Sequence, residues 1–277
     1  MTINAADFAF IQALIRNEAG IVLEAGKEYL VESRLLPLAE REGLASIADL
    51  VAKVRRSIGT ALSHRIVDAM TINETTFFRD VGPFEALRQF VLPEIIEKNK
   101  LTRRLRIWYG ASSTGQEPYS VSMLIREHFP QLLSWDLQQL ATDISPSVLA
   151  RARDGCYNQI EINRGLPAAY LVKYFGRHGN QWQLKESVRQ MVRFEELNLT
   201  RPWPPLGQMD IVMIRNVMIY FDVDAKKQIL AGIRRVLHPD GYLFLGGAET
   251  TMNLDDGFVR QQYEQAGCYR PRSVATA

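Results

Sequence analysis

The sequence predicts a parallel α/β domain preceded by a smaller helical one, and three observations carry that expectation. Residues 1 to about 90 place apolar side chains at helical spacing and hold no strand-like run. From Leu105 onward, short apolar runs alternate with amphipathic stretches, the pattern of a parallel sheet with right-handed crossovers. Between the first such run and the helix after it stands the turn Gly110-Ala-Ser-Ser-Thr-Gly115, placed where parallel α/β sheets build a nucleotide pocket. We set the helical domain at residues 1–80 and the α/β domain at 81–277, with a small antiparallel insertion at about 170–199.

Each element has its own signal. Phe8, Ile11 and Ile15, with Phe10 and Leu14, form one face of a first helix that Gly20 stops. Leu30, Val31, Leu35 and Leu38 mark a second, ending near Gly43. Ser46 caps a third, with Asp49 at the capping-box position and Ile47, Leu50, Val51 and Val54 as its stripe. Leu62, Ile66 and Met70 indicate a fourth, and Pro83 opens a fifth through Phe84, Leu87 and Val91. Strands are expected at 105–109, 137–142, 210–214 and 241–245, with helices at 117–129, 145–153 and 224–237. Residues 173–199 alternate apolar and polar around a Gly-rich turn, which reads as the antiparallel insertion.

Composition narrows the function. A net charge of +2 gives no global basic field for nucleic acid. Residues 50–66 are the local exception, with Lys53, Arg55, Arg56, His64 and Arg65 and no acid. They form either a solvated helix face or a docking patch for an acidic protein surface. The two cysteines, Cys156 and Cys268, are far apart and outside any ligand motif, which argues against a disulfide framework or a zinc site and fits a reducing, cytoplasmic setting. No apolar stretch approaches the ~18 residues of a membrane span. The sequence lacks GxSxG and HExxH, and its four histidines are scattered, so hydrolytic and metal chemistry are not expected.

Several residues could do chemistry. The glycine turn is not a P-loop, because Gln116 and not Lys follows its second glycine. Asp143 stands at the end of the neighbouring strand, too far downstream for the ~20-residue spacing of a nicotinamide-binding acid. It either accepts the hydroxyls of a nucleoside ribose or caps the helix opened by Ser145-Pro146. Glu117 opens the helix after the turn, where it complements the helix dipole or faces a cation such as an amino group. Arg215-Asn216 follow a buried strand, and Tyr220 comes one turn later; ligand contact competes with a helix cap for Asn216 and with core packing for Tyr220. Arg79, beside Phe77 and Phe78, holds a carboxylate or pairs on the surface with Asp80 or Glu85.

TINETTFFRD, YGASSTGQEPYS, ATDIS, IRNVMIYFD and GYLFLGGAET, in that order, resemble the S-adenosylmethionine-dependent protein-glutamate O-methyltransferases of bacterial chemotaxis, the CheR family. The resemblance covers nearly the whole chain. It implies a Rossmann-like methyltransferase domain with a small β-subdomain, behind an all-helical N-terminal domain. It further implies that Asn73, Thr75, Arg79, Glu117, Asp143, Asn198, Leu199, Arg215 and Asn216 contact S-adenosylmethionine. Arg79 and Tyr220 would lie nearest the transferring methyl and the acceptor carboxylate, with S-adenosylhomocysteine as product. The implied partner is the Glu-rich cytoplasmic signalling domain of a chemoreceptor, met by a monomer without nucleic acid or membrane insertion, and Lys53, Arg55 and Arg56 would dock it. The glycine-rich loop Gly176–Gln181 is shorter than in members that tether to a receptor pentapeptide, so independence of that tether is expected. The rival readings are a same-fold methyltransferase acting on a non-chemotaxis receptor or signalling protein, and a non-catalytic cofactor-binding receptor module.

Overall fold

A computed structural model describes residues 3–56, 58–263 and 266–272. It divides into two compact units: residues 1–72 with 220–225, and residues 73–219 with 226–277. The TINETTFFRD run therefore lies, from Asn73 on, with the larger unit.

The smaller unit holds α1 (Ala5–Ala19), α2 (Glu28–Arg41), α3 (Ile47–Arg55) and α4 (Ala61–Met70). Asn4 caps α1 by accepting the Asp7 N–H, and Gly20 ends it in the left-handed conformation at φ 70°. The Ser46 hydroxyl accepts the Asp49 N–H (3.1 Å) and donates to the Asp49 carboxylate (2.7 Å). The expected stripes converge: Phe8, Ile11, Ile15, Val31, Leu35, Leu50, Val54, Ile66 and Met70 form one buried core. The Arg34 guanidinium ties α2 to the exit of α4 through the carbonyls of Met70 (2.9 Å) and Thr71 (2.7 Å). Residues 220–225 belong here through a bridge between Ile21 and Phe221 and the ion pair of Arg16 with Asp222 (2.7 Å).

The larger unit begins with one interrupted helix: α5 (Val81–Ala86), a π turn (Leu87–Val91) and α6 (Leu92–Lys98). Leu92 N–H reaches back to Leu87 O, a widened turn just ahead of Pro93, which has no N–H to continue the ordinary ladder. Then follow β1 (Arg104–Gly110), α7 (Gln116–His128), β2 (Asp136–Asp143), α8 (Pro146–Asp154), β3 (Cys156–Tyr157), α9 (Gln159–Asn163), α10 (Ala168–Tyr174), β4 (Phe175–His178), β5 (Gln181–Leu184) and α11 (Glu186–Arg189). The chain closes with β6 (Val192–Glu196), β7 (Met209–Ile214), α12 (Val223–Val236), β8 (Leu237–Leu245), β9 (Phe258–Tyr263) and β10 (Ala266–Pro271).

The main sheet runs β6-β2-β1-β7-β8-β10-β9, parallel except where β10 joins β8 and β9. A second antiparallel sheet runs β3-β5-β4. The expected insertion is thus present in β4 and β5, but β6, which the same alternation assigned to it, pairs parallel with β2. A half-buried edge strand alternates just as a hairpin strand does, so periodicity alone does not name its partner.

Both faces of the main sheet are covered. Ile107, Tyr109, Ile211, Met213, Tyr242 and Phe244 share one core with Phe84, Leu87, Tyr119 and Val121. On the other face Trp108 meets Trp203 edge-on (ring centroids 4.9 Å apart). Trp203 in turn lies where a Cβ on Gly232 of α12 would fall, 2.7 Å away. Among the described residues no helix is long and apolar enough to cross a membrane.

Candidate active site

From β1 the strand order runs to β2 and β6 on one side and to β7 and β8 on the other, so the order reverses beside β1. In open α/β sheets, ligands bind at the carboxyl ends of the strands at such a switch point. Of the residues the resemblance implied, Asp143, Asn198, Leu199, Arg215 and Asn216 end or follow strands there, and Glu117 opens the helix after β1.

The turn after β1 approaches its neighbours closely. A Cβ on Gly110 would fall 2.8 Å from Ile214 Cγ1, and Leu199 lies just beyond at 3.4 Å. Ala111 (φ 57°), Ser113 (φ 50°) and Gly115 (φ 87°) are left-handed, a conformation only glycine adopts without strain. The strained turn is pinned from three sides. Ser112 N–H donates to Thr142 O (2.9 Å), Ser113 N–H donates to the Asp143 carboxylate (2.8 Å), and Ser113 Oγ donates to Asn73 O (2.8 Å). The other Asp143 oxygen accepts the Ser145 N–H (3.0 Å).

Asp143 is therefore a nearly buried carboxylate that joins the glycine turn to the end of β2. The cap of α8 is Ser145, whose hydroxyl accepts the Val148 N–H. Asn198 follows β6, where Leu197 N–H donates to Asp143 O (2.9 Å), and its side-chain Oδ1 accepts the Thr200 N–H (2.9 Å). Asn73, Asp143 and Asn198-Leu199 thus gather around one turn. Thr75, half-buried, lies two residues beyond Asn73.

A second cluster stands on the β7 side. Arg215 has a side chain only 1% exposed, yet it is a cation; it donates to the Glu117 carboxylate (2.5 Å), to the Asp80 carboxylate (3.0 Å) and to Arg79 O (2.8 Å). The Phe84 ring lies 5.8 Å from its guanidinium carbon. Two carboxylates around one guanidinium leave an excess negative charge, and among the described residues the second Glu117 oxygen meets no donor. The expectation that Glu117 faces a cation is met first by a residue of this chain.

Arg79 does not make the surface ion pair with Asp80 or Glu85 that was its alternative reading. Asp80 is bound to Arg215, and Glu85 accepts from Arg88 (2.6 Å) and Gln89 (3.0 Å), whose hydrogen bonds hold its carboxyl below the usual range. The Arg79 guanidinium donates to Glu74 O (3.0 Å) in an exposed hydrogen bond and has no carboxylate partner among the described residues. Tyr220 clusters with the smaller unit, where its carbonyl accepts the Val22 N–H (2.9 Å).

The basic segment is less free than its sequence suggested. Lys53 pairs with Glu42 (3.4 Å), Arg55 with Asp7 (3.1 Å) and Arg65 with Glu42 (2.9 Å), all acids remote in sequence. Arg56 is exposed and has no such partner among the described residues.

Sequence reasoning passed over Asp80, Ser113 and Glu249. Asp80 closes the TINETTFFRD run, where its sequence position offers only a pairing with the adjacent Arg79. Glu249 stands in GYLFLGGAET, an acid just past a strand end, which is where a signal lay. It helps to line a cavity of about 590 Å³ at the end of β8, together with Asp80, Pro83, Arg215, Gly246 and Tyr269.

The arrangement suits S-adenosylmethionine, which carries a ribose diol, an amino group and a carboxylate. The glycine turn packs closely at the end of β1, Asp143 ends the neighbouring strand, and the Glu117–Asp80 excess charge suits an ammonium. Ser112 Oγ, which lies in the turn, is a buried hydroxyl with no protein partner. A sheet of this order with these groups at its switch point defines an S-adenosylmethionine-binding methyltransferase domain. Comparison with known proteins makes the family specific. Residues 73–266 match the CheR methyltransferase SAM binding domain and residues 6–71 the CheR methyltransferase all-alpha domain, so the chain belongs to the CheR methyltransferase family. It is 43% identical over 272 residues to chemotaxis protein methyltransferase 1 of Pseudomonas aeruginosa, covering 96% of this chain and 98% of that protein. A chemotaxis protein methyltransferase of Pseudomonas putida is 40% identical over 277 residues, covering 98% and 100%. Among solved structures, the glycopeptide N-methyltransferase MtfA complexed with sinefungin aligns with a TM-score of 0.35 and 15% identity, over 69% of this chain and 61% of that one.

Proposed function

We propose that this methyltransferase esterifies the side-chain carboxylates of specific glutamates on the cytoplasmic domains of bacterial chemoreceptors. The observation that carries the reading is Arg79: a solvent-accessible guanidinium without a carboxylate of its own among the described residues, in the segment that Arg215 grips at Arg79 O and Asp80. A planar fork of this kind suits a carboxylate bidentately. The names of the relatives, chemotaxis protein methyltransferases, support the acceptor class.

Bound S-adenosylmethionine supplies a methyl group on a sulfonium, which leaves as a neutral thioether. A glutamate carboxylate, with an ordinary pKa near 4.3, is already ionised at neutral pH, so the acceptor oxygen needs no base to form its bond to the methyl carbon, and no proton moves. The chain's work is positioning, which can supply up to ~7–11 kcal/mol of a barrier. Arg79 orients a carboxylate, and the Tyr220 hydroxyl is assigned to placing the acceptor. Asn73, Thr75, Asp143, Asn198, Leu199, Asn216 and the Glu117–Arg215 pair hold the cofactor.

Independence of a receptor pentapeptide belongs to the same proposal. The β4–β5 hairpin turns through Gly179-Asn180 alone, with His178 paired to Gln181, which leaves little loop to hold a peptide. The test is methyl transfer to receptor fragments with and without a C-terminal pentapeptide. Equal rates support the reading, and a rate that depends on the peptide refutes this part of it.

A further inference from the structure

Glu249 lies in a run that the sequence singled out but to which no role was given. Its carboxylate accepts four backbone N–H bonds: Asn216 (2.9 Å) and Gly246 (2.6 Å) on one oxygen, Val217 (2.9 Å) and Met218 (2.7 Å) on the other. Three of these donors are successive residues, so one side chain gathers the whole turn that leaves β7. The fourth ties that turn to the end of β8.

The turn needs such support. Asn216 sits at φ 59°, a left-handed conformation that asparagine tolerates better than most residues but still at a cost. Its neighbour across the gap must be glycine. A Cβ on Gly246 would stand 2.8 Å from Asn216 N, Asn216 Nδ2 and Glu249 Oε2 alike. Glu249 also borders the cavity at the end of β8 and is not sealed in apolar core, so its carboxylate serves the rim of the site.

We propose that Glu249 is a positioning residue for methyl transfer. By collecting the N–H groups of residues 216–218 it fixes the strained turn that presents Asn216 to the cofactor, directly after Arg215. The inference rests on the assignment of Asn216 to the cofactor. Glutamine at 249 has one carbonyl oxygen and one NH2 group, so in either orientation two backbone donors face another donor. The turn then loses half its anchor while the side-chain volume stays the same.

The test is titration calorimetry of the full chain with S-adenosylhomocysteine, comparing wild type, Glu249→Gln, Asn216→Ala and the double variant. Each single change is expected to weaken binding roughly tenfold or more, about 1.4 kcal/mol. The double variant is expected to bind no more weakly than the poorer single one, because both act through one side chain. A merely structural tie predicts losses that multiply, and that result overturns the inference. So does Glu249→Gln within twofold of wild type while Asn216→Ala is impaired. Wild-type affinity in Asn216→Ala overturns the assignment of Asn216 itself, and the inference with it. Where Glu249→Gln does not fold, Glu249→Asp replaces it in the same cycle. It keeps the charge but is one methylene too short to serve both donor pairs, and it is read by the same criteria.

Discussion

Replacing Arg215 with methionine removes a guanidinium that two carboxylates and a carbonyl share. The consequence follows from how deeply each partner lies. Asp80 is 56% exposed at its side chain and rehydrates once its partner is gone, so that contact contributes at most about 1 kcal/mol. Glu117 is only 14% exposed, and it is left as a largely buried carboxylate without its cation. Breaking a buried pair by removing one member costs ~3–5 kcal/mol, chiefly because the other charge is stranded. With the remaining exposure of Glu117 as partial relief, we expect a loss near 3 kcal/mol. Urea unfolding of the full chain reads it as a midpoint lower by roughly 1–3 M, for slopes of ~1–3 kcal/mol per molar. Adding Glu117→Gln removes the stranded charge and should recover at least about half of the loss. A drop below about 1 kcal/mol in Arg215→Met, or a double variant no better than the single one, would refute the argument that this cluster is a buried charge network.

Arg79→Ala and Tyr220→Phe are expected to lower kcat by roughly tenfold or more with urea midpoints within error of wild type; near-normal turnover in both removes them from the chemistry. Arg56→Ala should raise the apparent KM for receptor fragments and flatten its salt dependence, with a smaller effect for Lys53→Ala because Lys53 is already paired to Glu42. An unchanged salt dependence would return the segment to an ordinary solvated face. Burial pushes the Cys268 thiol up to about 12 from an ordinary 9.0. The unfolded chain therefore loses this proton first as pH rises. The contribution of Cys268 to stability is fully present below pH 9 and declines between pH 9 and 12, by up to about 1.4 kcal/mol per unit. Cys268→Ala should flatten that part of the stability–pH curve, and an identical slope in the variant would contradict the burial argument.

What the sequence discloses of this fold is what local periodicity can encode. The stripes of α1 to α4, the Ser145 cap and the buried runs of β1, β2, β7 and β8 are each written within a dozen residues. The partners of those elements are not. The alternation in β6 is compatible with the small sheet and with the edge of the large one, and only tertiary packing places it beside β2. The same limit divides the site. Asp143 and the glycine turn are visible because a strand end and a turn mark them. The link from Arg215 to Asp80 and Glu117 is not, because it joins residues about a hundred or more positions apart through side chains that each had a local explanation. Lys53, Arg55 and Arg65 looked unpaired for that reason too, since Glu42 and Asp7 reach them from other helices. Glu249 was hidden differently: its partners are backbone groups, which leave no trace in residue type.

The most direct measurement of the central claim is transfer of labelled methyl from S-adenosylmethionine to receptor cytoplasmic fragments, scored as methanol released by base. Base-labile label on the wild-type fragment, lost when its methylatable glutamates are changed to alanine, is the predicted result and establishes a carboxyl methyl ester. Cofactor binding without base-labile label on any receptor fragment would contradict the claim and point to a different acceptor.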